Sequence, residues 1–156
     1  MSLLAHETKH YPLMLAIAKG KPTMEQHLES LTHWDNWFAD EKPIHVIRFF
    51  DDADSLHPPS GAGKVTKKWM NEGADNKFRA FIKHMMIVVP EDQYERMKNM
   101  SVTKVFGIPG GIFPSTDDAF EWLAQQADID IFDNDDAWRN DIKETIRAHL
   151  VEKLPK

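Results

Sequence analysis

Four short apolar runs, each followed by a helix-start signal, constrain this chain more than any other feature. Residues 11–19 (YPLMLAIAK), 44–50 (IHVIRFF), 81–89 (FIKHMMIVV) and the pair Ile112-Phe113 are mostly apolar, β-branched or aromatic, and each reads as a strand. The helix signals fall between them. Thr23 and Gln26 match a capping box, and Met24, Leu28, Leu31, Trp34, Asp35 and Phe38 follow at helical spacing, with only Asp35 interrupting the apolar face. A second helix is predicted from Ser60 or Gly61 to about Ala80, burying Ala62, Val65 and Trp69, and weakest around Gly73. Pro90 with Glu91-Asp92 opens a third, through Tyr94 and Met97.

Residues 101–107 fit either a helix or a short strand by their Val102, Val105 and Phe106, and the helix is preferred. Ser115 or Thr116 caps the next helix, with Ala119, Phe120, Trp122, Leu123 and Ala127 apolar. A last helix follows Asp133 to Asp136 and carries Trp138, Ile142, Ile146, Leu150 and Leu154 at intervals of four. The order β-α-β-α-β-α-β-α-α predicts an α/β fold. A small, mostly parallel four-stranded sheet with helices is expected, plus one C-terminal helix.

At 156 residues the chain suits one domain. Residues 1–127 are expected to form its body, and residues 128–156 an acidic connector and an amphipathic helix packed on the same domain. The absence of cysteine excludes disulfides, thiolate nucleophiles and Cys-ligated zinc, and suits a reducing cytoplasm. No secretory leader and no transmembrane segment is expected.

The net charge of −6 is unevenly placed. Residues 1–115 hold fourteen acids and fourteen bases, so the excess lies beyond them, with Asp128, Asp130, Asp133, Asp135 and Asp136 clustered. Residues 61–84 instead carry six bases against Glu72 and Asp75. A global acid excess argues against a general nucleic-acid role, which needs a basic surface. The acidic tail is expected to fold back near the basic face of Lys64, Lys67 and Lys68. Its aspartates lack the turn glycine and terminal glutamate of an EF-hand loop, so they read as a solvated connector.

Several local phrases point to a family. Gly20-Lys21-Pro22-Thr23 leads from the first strand into the first helix; Pro58-Pro59-Ser60 is followed by Trp69; and Ile112-Phe113 precedes Ala119-Phe120-Glu121-Trp122-Leu123. Together, over residues 11–125, these resemble the STAS-like domain of bacterial anti-sigma-factor antagonists, in particular its poorly characterised relatives. The resemblance implies a non-enzymatic regulatory or protein-interaction domain working through residues 54–64. Antagonists of that family are switched by phosphorylating a serine in an Asp-Ser-Ser/Thr-Gly-x-Gly sequence. Here Ser60-Gly61-Ala62-Gly63 resembles its second half, with Pro58 and Pro59 where the aspartate and the phosphorylated serine would fall, leaving Ser60 or Ser55 as substitutes. The broader fold group includes lipid-binding relatives. That, with the eight methionines and five tryptophans, supplies an alternative: a carrier of a small lipid or nucleotide.

The residues themselves add little catalytic signal. A P-loop fails, because Pro58 and Val65 stand where its first glycine and its Ser or Thr belong. What remains is an anion or phosphorylation site from Ser55, Ser60, Gly61, Gly63 and Lys64. Asp54, His57 and Ser60 crowd into seven residues without a nucleophile elbow, so no catalytic set is assigned. No metal spacing appears among the eight histidines and no cofactor is implied; His45 and His84 are expected to be hydrogen-bonded at the sheet. Trp34, Trp37 and Phe38 widen the apolar arc of the first helix; core packing is the favoured role, with one of them reaching a pocket or, with Lys67 and Lys68, a candidate interface for a protein partner or a homodimer as the alternative.

Overall fold

The structure, a computed structural model, describes residues 2–126 and 134–152. The sheet begins earlier than the apolar runs predict. Strand β1, Leu3–Glu7, pairs antiparallel with β2, Leu13–Lys19, Leu3 facing Lys19 and Glu7 facing Leu15. Strands β3 (Ile44–Phe50), β4 (Ile82–Val88) and β5 (Gly110–Phe113) then add in parallel, in the order β1-β2-β3-β4-β5. The α/β class therefore holds, but the sheet is five-stranded and mixed, which corrects the expected four strands. Strand β1 escapes the hydrophobic pattern because it is an edge strand of which only Leu3 is buried.

Alternation along the parallel strands makes both faces apolar, and helices cover both. On one face Met14, Ala16, Ile44, Val46, Met85 and Ile87 meet Trp34, Trp37, Phe38, Phe78 and Val102. Those side chains come from α1 (Met24–Ala39), α3 (Asp75–Phe81) and α5 (Val102–Phe106). On the other face Leu13, Leu15, Ile17, Ile47, Met86 and Val88 meet Ala119, Phe120 and Leu123 of α6 (Thr116–Ala124) and Ile142 and Ile146 of α7 (Asp136–Glu152).

The caps explain where the helices start. Thr23 Oγ1 accepts from Gln26 N at 3.1 Å while Thr23 N donates to Gln26 Oε1 at 3.0 Å, a complete capping box. Ser101 caps α5 through Lys104 N at 3.1 Å and Gly107, at φ 74°, ends it, so residues 101–107 are helical as preferred. Ser115 caps α6 in the same way. The helix expected from 60 to 80 is in fact broken: α2 (Ala62–Trp69) passes through a π-helical turn, Met70–Ala74, into α3. Gly73, at φ 130°, makes the break, a backbone state L side chains rarely adopt. Between α3 and α5 lies the short α4, Glu91–Met97.

Helix α7 is tied to three elements. His10 Nε2 and Thr145 Oγ1 are 2.9 Å apart, Arg139 reaches Glu121 at 2.5 Å, and His149 Nε2 lies 3.2 Å from Glu7 Oε1. It therefore packs on the face opposite α2. The expected fold-back of the tail onto Lys64, Lys67 and Lys68 is not what α7 does, because its Ile142 and Ile146 stripe is matched by the leucines of β2. The expected connector residues Asp128, Asp130 and Asp133, the boundary at 127/128, Ala127 and Leu154 lie outside the described residues. Among the described residues no helix is long and apolar enough to cross a membrane.

Candidate functional site: a cavity under α1 and α2

Parity along β3 sends Ile44, Val46, Arg48 and Phe50 to the α1 face, so one charged side chain enters a layer of hydrophobic ones. Its neighbours make room for it. Ala16 lies opposite Arg48 on β2, Ala18 opposite Phe50, and Ile87 opposite Arg48 on β4. With alanines on β2 and no bulky side chain filling the gap, a cavity of about 660 Å³ opens between the sheet and the helices, within the range of small-molecule sites. Leu31 and Trp34 of α1, and Ala62, Thr66 and Trp69 of α2, roof it; Phe78, Met97, Val105 and Phe106 close the far end.

Two hydrogen bonds span the roof. His27 Nε2 and Thr66 Oγ1 are 2.8 Å apart, and Trp69 Nε1 donates to Asp35 Oδ1 at 2.9 Å, so Asp35, the odd residue on the apolar arc of α1, serves to hold α2. Below them sits Arg48, whose accessible surface opens on the cavity. Its guanidinium carbon lies 5.3 Å from the Phe50 ring centre, and among the described residues no carboxylate comes within ion-pair distance. Burial lowers its pKa to about 10, which leaves it charged at neutral pH. A partly desolvated cation with no carboxylate partner among the described residues costs stability, and arginine is seldom placed that way.

The nearby imidazoles do not neutralise it. Burial first, and then the Arg48 charge, hold His27 below its ordinary pKa. His6 stacks on His33, ring centres 4.3 Å apart, and shares a 2.8 Å hydrogen bond with Ser30 on the cavity wall, while its Nδ1 is buried without a partner. Burial, then His33 and Arg48, bring His6 down from 6.5 to about 3. The unfolded imidazole therefore binds a proton across that window and the folded one does not. Stability should fall as pH drops from 6.5 towards 3, with His6 contributing up to about 1.4 kcal/mol per pH unit. His10 and His27, also lowered, titrate in the same direction. Urea unfolding of the parent and His6→Gln at pH 7 and pH 5 isolates the term: the variant should lose less stability on acidification, and equal losses would refute it.

The structure separates the residues singled out from the sequence. Ser55 is buried, its hydroxyl donating to Asp52 O at 2.6 Å and its N–H to Asp52 Oδ1 at 2.9 Å, so it is committed to a turn. Asp52 also accepts from Gly20 N at 3.0 Å, tying the end of β2 to the loop after β3. Ser55, Gly63 and Lys67 line the cavity; Ser60, Gly61, Lys64 and Lys68 are exposed outside its lining. Trp34, Trp37 and Phe38 are at most 5% exposed, so they are core, the favoured role, with Trp34 also cavity roof; the alternative of an interface is corrected for these three. His45 and His84 stack with their Nδ1 atoms 2.9 Å apart, on the opposite face beside Trp122. No group of three metal-binding side chains forms among the described residues.

Arg48 was the residue missed. Its only trace is a lone charge inside the run IHVIRFF, which has meaning once Ala16 and Ala18 are known to lie beside it. Comparison with protein-family models, curated proteins and solved structures found no match to this chain.

Proposed function

We propose that this protein binds an amphiphilic anion in the cavity between its sheet and α1–α2, acting as a binding protein and not as an enzyme. One observation carries the reading: a charged Arg48 with no counter-ion among the described residues, on the wall of a mostly apolar cavity. An arriving anion would supply the missing charge, and its apolar body would cover surface that the fold leaves bare. Titration with anilinonaphthalene sulfonate, an apolar ring system bearing one anion, tests it. Saturable one-to-one binding in the micromolar range, with quenching of Trp34 and Trp69, is expected. Absence of saturation would overturn the reading.

A second reading keeps the protein in the STAS-like regulatory group, switched at Ser60. It is favoured by the exposure of Ser60 at the turn into α2, where Gly61, at φ 87°, supplies no side-chain cap. Phosphate there would sit near the positive end of the helix and Lys64. Protein recovered from its own cells should then carry phosphate on Ser60. An unmodified Ser60, with Ser60→Glu leaving partner capture unchanged, would remove this reading.

A further inference from the structure

The cavity is polarised along the sheet. Its hydrogen-bonding and charged side chains, Arg48 with His27, Ser30, Ser55, Thr66 and Lys67, belong to β3, the turn after it, α1 and α2. Its other end, beneath α3, α4 and α5, is walled by Phe78, Met97, Val105 and Phe106, which offer a ligand no charge. The apolar character continues outward there. Met100 and Val105 both line the cavity, yet are 41% and 56% exposed, so this end opens to solvent through hydrophobic side chains.

We propose, building on the binding reading above, that the occupant is a single-chain carboxylate. Its head lies on Arg48 and its alkyl chain runs towards Met97, Val105 and Phe106. The head is matched in charge and shape. One fixed cation meets one negative charge, and a guanidinium fork engages a carboxylate through two parallel hydrogen bonds. Each adjacent imidazole has its Nε2 engaged, His27 with Thr66 and His6 with Ser30, and burial beside Arg48 holds both below their ordinary pKa, so neither supplies a second cation for a dianion. The second cation on the wall, Lys67, is exposed to solvent.

The tail is matched as well. Thioether and aromatic walls adapt to a flexible hydrocarbon, whereas a sugar or a base would lose its hydrogen bonds to water without replacement. A nucleotide therefore fits the Arg48 end and not the far end.

The test is competition against bound anilinonaphthalene sulfonate, with saturated carboxylates from about eight to about sixteen carbons. Affinity should rise about fourfold per methylene and then level off as the chain passes the open end. An alcohol of the same chain length should bind at least about tenfold more weakly than its carboxylate. Orientation is read with Val105→Glu, at a lining residue that is 56% exposed, with the urea midpoint measured alongside to show that the variant is folded. It should weaken the longest chain about fivefold and leave octanoate unchanged. Indifference to chain length, equal binding of alcohol and carboxylate, or equal weakening of all chain lengths by Val105→Glu would each overturn the proposal. Displacement of the probe by adenosine monophosphate but by no carboxylate would overturn this inference and leave the anion-binding reading standing. Failure of probe and carboxylates alike would remove both.

Discussion

Arg48→Met is expected to give a more stable protein that no longer holds anions. Methionine is unbranched, adaptable and close to the length of the arginine stem, so it can occupy the same channel between Ala16 and Ile87. It removes a charge that burial already pulls down to a pKa of about 10 and that no carboxylate among the described residues balances. Replacing buried charge by apolar side chains of similar volume is commonly neutral or stabilising by about 1–4 kcal/mol. The lower half of that range is expected, because Arg48 keeps some contact with the cavity and with the Phe50 ring. Urea unfolding at pH 7 reads the gain as a higher midpoint at unchanged slope. Binding of anilinonaphthalene sulfonate should weaken by at least about tenfold, or about 1.4 kcal/mol. A destabilised Arg48→Met would show that the guanidinium is structural, and unchanged probe binding would take the anion site away from it. Arg48→Lys, which keeps charge without the fork, should lie between the two.

Gly110→Ala should be the most damaging small substitution at the sheet. A Cβ there would stand 2.2 Å from the carbonyl oxygen of Met85 and 2.6 Å from Val102 Cγ1. The first obstacle is backbone and cannot rotate away. Met85 pairs with Gly110 across the β4–β5 ladder and its N–H donates to Pro109 O at 3.0 Å, so relief means parting the strands. A loss of about 3 kcal/mol or more is expected, at the upper end for point substitutions. Gly63→Ala supplies the contrast. Gly63 is helical with nothing within 4 Å of the added carbon, so the change should stabilise by about 0.5–1 kcal/mol. Similar midpoints for the two variants in urea would contradict the packing of α5 against β5.

Strands covered on both sides were legible in the sequence because burial on two faces leaves a mostly apolar run, as in β2, β3 and β4. Strand β1 was not, since an edge strand with one buried residue has no run to detect. The capping box at Thr23 was legible because its signal is local, three residues apart. The break in the helix at Gly73 was visible only as weakness, since a glycine in a helical stretch signals cost and not geometry. The site was the least legible part. A cavity is made by what is small on one strand beside what is long on the next, and the register that sets Ala16 against Arg48 is a property of the folded sheet. The phosphate-like Gly61-Ala62-Gly63-Lys64 drew attention instead, because motifs are contiguous and cavities are not.

The contact between Glu7 and His149 joins residues 142 positions apart and sets an order on assembly. During synthesis β1 and β2 emerge first, yet Leu3, Leu13 and Ile17 share their hydrophobic cluster with Ile142 and Ile146 of α7. Until α7 leaves the ribosome, the oldest part of the sheet keeps a greasy side uncovered. Docking of α7 is therefore expected to complete that side of the core only after every strand of the sheet has been made.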